Sequence, residues 1–266
     1  MQPLSPRQTD ILEIARLEGR VNVENLAARF DVTPQTIRKD LNDLCDLERL
    51  QRVHGGAMFP SNTVNVAYRS RRGMAAEEKG RIGEAVARLI PDGASLILDI
   101  GTTTEQVAHA LRNHRELMVM TNNLNVAMIL SEAPEVELVV SGGMVRKTDG
   151  GIVGAAAIDL IRQFKVDYAV VGASAIDEEG ALLDFDYREV RVAQAILAQA
   201  RTTILVADAT KFERRAPVQI GHITDIDIFV TDSPPPAAIS ALCEEAEVEV
   251  IVARQEISDQ QPTEAE

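Results

Sequence analysis

Apolar side chains at Ile11, Leu12, Ile14, Ala15 and Leu17 follow helical spacing and predict a helix over 5–18 that ends at Gly19. Val21-Asn22-Val23 reads as a short extended piece, and Glu24 to Phe30 as a two-turn helix. Asp31-Val32 makes a turn. Thr33 then supplies an N-cap hydroxyl, and Pro34 fits the first helical position, where its missing N–H is no loss. The helix opened there places Ile37, Leu41, Leu44 and Leu47 on one face. Gln35, Thr36, Arg38 and Lys39 lie off that face, near the helix start. Residues 47–57 read as helix end, extended strand and the Gly55-Gly56 turn of a β-wing carrying Arg52 and His54.

From Met58 to Ala75 periodicity is lost, and Pro60, Ser61, Asn62, Thr63, Asn65 and Gly73 mark a connector. Beyond it an amphipathic helix over 79–90 carries Ile82, Ala85, Val86, Leu89 and Ile90 on one face. Continuous apolar strands follow at 95–99, 117–120, 136–140, 168–171, 203–206 and 228–230, alternating with helical stretches. Such alternation implies an α/β domain with a mainly parallel sheet covered on both faces. The expected organisation is a small N-terminal winged helix-turn-helix over 1–57, a linker over 58–75, a larger α/β domain over 76–253 and a polar, disordered tail over 254–266.

Composition changes this picture little, but charge does. The 266 residues are 45% hydrophobic, enough for one large domain and a small one. The net charge of −14 argues at first sight against nucleic acid, because phosphate contacts need Lys and Arg. Residues 1–57, however, hold 8 basic and 9 acidic side chains, and residues 58–75 hold three arginines and no acid. The acidity lies beyond, so any DNA contact rests on a local basic patch in the head. No apolar run approaches the roughly 20 residues that cross a bilayer. The N-terminus has no apolar signal core, and the expectation is a cytoplasmic protein without membrane contact. Cys45 and Cys243 are far apart and the four histidines lack metal-ligand spacing, so two reduced thiols, no metal and no cofactor are expected.

Two short helices, a tight turn, and polar or basic residues opening the second helix describe a helix-turn-helix, with a plain helical hairpin as the alternative until the wing is considered. Its recognition helix presents Gln and Arg, which read adenine and guanine bidentately, and Thr and Lys, which suit phosphates. Arg69, Arg71 and Arg72 either lie along DNA or are solvated. In the larger domain each strand ends in small polar residues: Asp99 with Gly101-Thr102-Thr103-Thr104, then Thr121-Asn122-Asn123, Ser141-Gly142-Gly143, Gly172-Ala173-Ser174, Ala207-Asp208 and Thr231-Asp232. Ligands bind at carboxyl ends of strands in open α/β sheets, although small polar residues also simply make good turns. Gly101 to Thr104 at a helix start offers free N–H groups, three hydroxyls and the helix dipole to a phosphate. The nucleotide P-loop pattern is absent from the sequence.

Val21-x-Val23-x-x-Leu26-Ala27-x-x-Phe30-x-Val32-Thr33-x-x-Thr36-Ile37-Arg38-Lys39-Asp40-Leu41, followed by Arg52-x-His54-Gly55-Gly56-Ala57, resembles the DNA-binding head of DeoR-family bacterial repressors. Thr33 stands where the family usually has Ser, and Lys39 where it often has Arg; without Arg's fork, Lys39 suits a phosphate rather than a base. Glu78-Lys79 before Ile82-Gly83, Asp99-x-Gly101-Thr102-Thr103, Thr121-Asn122-Asn123, Gly142-Gly143 and Asp208-x-x-Lys211-Phe212 resemble the family's sensor domain, itself similar in fold to ribose-5-phosphate isomerase. Asp184 to Arg191 is the least generic part of the resemblance, which spans roughly residues 5–253. It implies that Thr33, Gln35, Thr36, Arg38, Lys39, Arg52 and His54 contact double-stranded operator DNA. It implies that Gly101, Thr102, Thr103 and Thr104 hold a phosphate, with Asp99, Thr121, Asn122, Asn123, Gly142, Gly143, Ser174, Asp177, Asp186 and Lys211 around the rest of the ligand. Lys211 also reads as an ordinary surface lysine. The implied function is a homo-oligomeric repressor, not an enzyme, with a small phosphorylated effector, glycerol 3-phosphate before other sugar phosphates. An isomerase-like enzyme with an accessory head is the alternative, since Asp177, Asp184, Asp186, Glu189 and Lys211 are all capable of acid–base work.

Overall fold

A computed structural model of the chain describes residues 4–18, 20–47, 49–53, 55–58 and 68–254. They form two compact units, Met1–Val64 and Asn65–Glu266. His54, residues 59–67 of the expected connector and residues 255–266 of the expected tail lie outside the described residues.

The first unit holds α1 (Pro6–Glu18), β1 (Arg20–Asn22), α2 (Val23–Phe30), α3 (Pro34–Asp46), β2 (Gln51–Val53) and β3 (Gly56–Met58). Asn22 caps α2 by accepting from the N–H groups of Glu24 and Asn25. Thr33 caps α3 with its hydroxyl, and Pro34 occupies the first turn as its fixed φ allows. The three strands pair antiparallel in the order β1-β3-β2. Gly56 faces Asn22 in that pairing, and a Cβ there would lie 2.0 Å from the Val21 carbonyl oxygen, so only glycine fits. Ile11, Ala15, Val21, Leu26, Ile37, Leu41, Leu44 and Ala57 form the core. Leu47, expected on the buried face of α3, is instead the residue that ends the helix and is 45% exposed.

The second unit begins with α4 (Tyr68–Gly73) and α5 (Ala76–Leu89), so part of the expected connector is helical and belongs to this unit. Then come β4 (Ser95–Leu98), α6 (Thr102–Leu111), β5 (Leu117–Thr121), α7 (Leu124–Leu130), β6 (Val136–Val140), β7 (Met144–Val145), β8 (Ile152–Val153), α8 (Ala155–Ile161) and β9 (Val166–Gly172). They are followed by β10 (Ala175–Ile176), β11 (Ala181–Asp184), α9 (Tyr187–Leu197), β12 (Ala200–Val206), a 3-10 turn (Ala209–Glu213), β13 (Val218–His222), a second 3-10 turn (Ile223–Asp225), β14 (Ile228–Thr231), α10 (Ala237–Glu245) and β15 (Glu249–Val252). Seven strands form one parallel sheet in the order β15-β14-β12-β9-β4-β5-β6. Both faces are buried: Ile97 packs into one core, while Leu96 and Leu98 pack into the other. The small antiparallel sheets β10-β11-β13 and β7-β8 were not expected.

Chain order reverses between β4 and β9, because β5 and β6 lie on one side of β4 and β9, β12, β14 and β15 on the other. A crevice must open outside the carboxyl ends of the strands at such a switch point. The helix α6, which starts at the end of β4, packs closely on α5: a Cβ on Gly83 would lie 2.7 Å from the Gln106 backbone.

Candidate functional site

Each unit presents a site of its own. In the first, Thr33 Oγ1 accepts from the Thr36 N–H at 3.3 Å and lies 2.9 Å from the Thr36 hydroxyl, which fixes the start of α3. Gln35, Arg38 and Lys39 are exposed and Thr36 is half-buried, while Ile37 and Leu41 turn inward. Asp40 is buried and tied to Arg7 through a 2.6 Å hydrogen bond, so its charge is answered inside the unit. Arg52 lies exposed on β2. A capped helix with a polar, cationic opening turn, beside a three-stranded wing, is a shape that enters a major groove.

In the second unit a cleft of about 370 Å3, open mouth included, lies at the switch point, lined by residues from the ends of β4, β9 and β12 and by α4, α9 and the first 3-10 turn. One wall is Ile100 to Thr104. The N–H groups of the first turn of α6 have no partner within the helix, and no side chain caps Gly101. The Thr104 hydroxyl donates to the carbonyls of Asp99 and Gly101, at 2.7 and 2.8 Å, and so shapes the loop while Thr102 and Thr103 face the cleft. Another wall is Gly172, Ala173, Ser174 and Asp184, where the Ser174 hydroxyl donates to Asp184 Oδ2 at 2.9 Å.

Lys211 enters from the turn that Asp208 caps, and it is only 7% exposed. Its ammonium makes no hydrogen bond or salt bridge among the described residues. Burial above all, then the nearby cation Arg214, against the opposing pull of Asp208, lowers its pKa to about 7; Lys79 and Arg71 act in the same direction as Arg214. Opposite in sign, burial and the neighbouring Asp184 push Glu189 up to about 8, against the attraction of Arg146. Arg146 on the loop after β7 faces three carboxylates, at 2.5 Å from Asp149, 3.0 Å from Asp186 and 2.5 Å from Glu189. One guanidinium cannot neutralise all three. Asp186 is held well below the usual carboxylate range by Arg188 first and then Arg146, so Glu189 is the one that keeps a proton near neutral pH. Burial likewise raises Asp99 to about 7. The cleft thus combines free amides, hydroxyls and a cation with a carboxyl able to donate, a chemistry suited to a phosphate bearing hydroxyl groups.

Of the residues expected around a ligand, Gly101, Thr102, Thr103, Thr104, Ser174 and Lys211 line this cleft together. The others do not. Asp99 is buried beside the loop with Oδ1 unpartnered. The Thr121 hydroxyl donates to the Leu98 carbonyl and accepts from the Asn123 N–H, joining β4 to β5. Asn122 and Asn123 are fully buried, and Asn123 Oδ1 caps α7. Gly142 and Gly143 are exposed in the loop before β7. Asp177 accepts from the N–H groups of Glu179 and Ala181 and closes the β10–β11 turn. Asp186 caps α9 and pairs with Arg146 and Arg188. Residues left out of the expected ligand set are Arg71, Ile100, Gly172, Ala173, Asp184, Glu189 and Val206, which line the cleft, and Arg146, which supports it. Asp184 and Glu189 carried a signal, the unusual stretch Asp184 to Arg191; Arg71 was obscured by its place in an apparent connector.

Comparison with known proteins bears on both units. Residues 7–63 match the family described as DeoR-like helix-turn-helix domain, and residues 74–233 match the DeoR C terminal sensor domain. The chain is 46% identical over 233 residues to the glycerol-3-phosphate regulon repressor of Escherichia coli (strain K12), covering 88% of this chain and 92% of that protein. It is 44% identical over 241 residues to the repressor of the same name from Haemophilus influenzae, covering 91% and 94%. It is 39% identical over 252 residues to the HTH-type transcriptional repressor CsqR of Escherichia coli (strain K12), covering 95% and 97%. Among solved structures, ribose 5-phosphate isomerase A from Methanocaldococcus jannaschii superposes with a TM-score of 0.39 at 16% identity, over 52% of this chain and 55% of that one. A chain of the eIF2B-beta2-delta2 complex from C. thermophilum gives 0.46 at 16% identity, over 64% and 61%. With both units matched and curated relatives aligned along most of its length, the chain belongs to the DeoR family of DNA-binding transcriptional repressors.

Proposed function

We propose that the protein represses a glycerol catabolic regulon as a homo-oligomer on its operator, in the cytoplasm, and lets go when glycerol 3-phosphate fills the cleft. The observation that carries this reading is the buried Lys211, without an ion pair among the described residues, lining the same cleft as the free amides and hydroxyls of Thr102 and Thr103. A phosphate dianion satisfies all of them at once. Asp184 and Glu189 offer carboxyl groups to the two hydroxyls of a glycerol ester. The relatives named for the glycerol-3-phosphate regulon support the same ester. Helix-turn-helix proteins read paired half-sites as symmetric assemblies, which supports the oligomer. The head's contacts are Gln35, Thr36, Arg38 and Lys39, with Thr33 at the cap and Arg52 on the wing. Effector shifts the equilibrium only by binding the released state more tightly than the DNA-bound one.

The test is a gel-shift titration on the protein's own operator. Millimolar glycerol 3-phosphate releases the wild type, while Thr102→Val holds the operator and responds weakly. Unchanged DNA binding of the wild type across that range removes glycerol 3-phosphate as effector. A thermal-shift screen of other phosphate esters then reads out another sugar phosphate.

Three perturbed groups, Asp99, Glu189 and Lys211, favour a second reading, acid–base turnover of a sugar phosphate. We take the site to bind without turnover, in keeping with relatives named as repressors. Steady conversion of ribose 5-phosphate in a coupled assay would reverse that choice.

A further inference from the structure

The helix α4 is the first element of the larger unit among the described residues. Six residues are far too few to hold a helix in water. Its side chains and ends must hold it. The Tyr68 hydroxyl donates to both carboxylate oxygens of Glu105, at 2.8 Å each, in the first turn of α6. Buried Lys79 donates from Nζ to the carbonyls of Arg71 and Met74, at 2.7 and 2.5 Å, and so answers the open end of α4.

The third tether is incomplete. Arg71 leaves α4 for the cleft, where its side chain is 15% exposed. Its Nε is buried without a hydrogen-bond partner. The carboxylate beside it, Asp149, lies 3.7 Å from Nη2, beyond hydrogen-bond reach, and is itself bound by Arg146. Lys211 borders the same cleft and feels the repulsion of Arg71 and Lys79. Two cations thus face one space, one with a buried N–H unanswered and the other without an ion pair among the described residues.

We propose that Arg71 is a ligand of the effector's phosphate together with Lys211, and that its grip on the anion fixes α4, so that occupancy of the cleft is felt in the segment leading to the head. This rests on the effector reading above. The guanidinium fork, with Nε–H and one Nη–H side by side, matches two phosphate oxygens. The contact exists only with anion present, which is the differential interaction that a switch requires. Without anion, α4 keeps the Tyr68 and Lys79 tethers and the long ion pair from Arg71 to Asp149.

The experiment uses the full chain, wild type, Arg71→Gln and Arg71→Lys. Calorimetry reads anion binding, and amide hydrogen exchange reads residues 68–74. Glycerol 3-phosphate and inorganic phosphate serve as separate probes. Expected is at least tenfold slower exchange of 68–74 in the wild type with anion. Arg71→Gln should bind the anion at least tenfold more weakly and gain no protection at saturation. Arg71→Lys should regain part of the binding without the fork's full protection. Equal binding in Arg71→Gln and wild type, or wild-type exchange of 68–74 unchanged at saturation, overturns the proposal. A wild type that answers phosphate but not glycerol 3-phosphate sinks the effector reading alone, and Arg71→Gln still decides on Arg71. A wild type that binds neither anion overturns both.

Discussion

Replacing Lys211 with Met removes a buried ammonium while keeping the length of the side chain. Lys211 titrates near 7 in the folded protein against about 10.4 in an unfolded chain. At about 1.4 kcal/mol per unit, the folded state at pH 7 carries a penalty on the order of 2–4 kcal/mol. The sign follows from proton counting. Between pH 7 and about 10 the unfolded lysine binds a proton that the folded one has shed, so wild-type stability rises with pH in that window and the penalty fades above it. Lys211→Met should therefore melt about 4–16 °C above the wild type at pH 7 without ligand, at roughly 2–4 °C per kcal/mol for a unit of this size. That gain should shrink toward pH 10. With glycerol 3-phosphate the gap should largely close, because the wild type gains about 2.7 kcal/mol at a hundred times its Kd, comparable with that penalty, and the variant lacks the cation that binds the anion. Differential scanning fluorimetry at pH 7 and 9.5, with and without ligand, measures both effects. A variant that melts at or below the wild type without ligand, or that shifts equally with ligand, refutes the account of Lys211 as an unanswered cation awaiting an anion.

Effector affinity should fall roughly tenfold from pH 7 to 9, because an adjacent phosphate raises the Lys211 pKa and binding takes up a proton there. Glu189 loses its proton in the same window and adds a negative charge to the wall, in the same direction; calorimetry across that range checks it, and a flat profile counts against both assignments. Arg38→Ala should weaken operator binding by about 1–3 kcal/mol and relax preference at one base position if Arg38 reads a base. Gel shifts on operator variants decide, and an unchanged preference makes Arg38 a phosphate contact. Gly56→Ala should abolish operator binding, since its Cβ would sit 2.0 Å from the Val21 carbonyl and part β1 from β3. The thermal shift of the larger unit with ligand should survive, and a variant that still binds operator argues against the wing's role.

The head was readable because its signals are local: Thr33 and Pro34 open α3 within two residues, and Gly55-Gly56 marks the wing. The parallel sheet was readable because strands such as Leu96 to Leu98, buried on both faces, show as unbroken apolar runs. The pairs β7-β8 and β10-β11 have two paired positions each, too few for a period to show. Strand ends gave five cleft residues, and the family resemblance gave Lys211, but neither could separate lining from bracing. Thr121 and Asp177 have the same polar character as Thr102 and Ser174, yet their hydrogen bonds close a sheet edge and a turn. Arg146 is written three residues from Asp149 but forty from Asp186 and further from Glu189, and only the folded chain brings them together. Arg71 was hidden because a helix of one and a half turns has no periodicity to detect.

The order in which strands sit in the large sheet has a consequence for synthesis. β4 pairs on one side with β5 and on the other with β9, which is made only at residues 166–172, and the cleft then waits for Val206 and Lys211. The head, with its own core complete by Ala57, leaves the ribosome long before that and folds as a unit. A growing chain therefore has its DNA reader in hand while the metabolite receptor is still unmade.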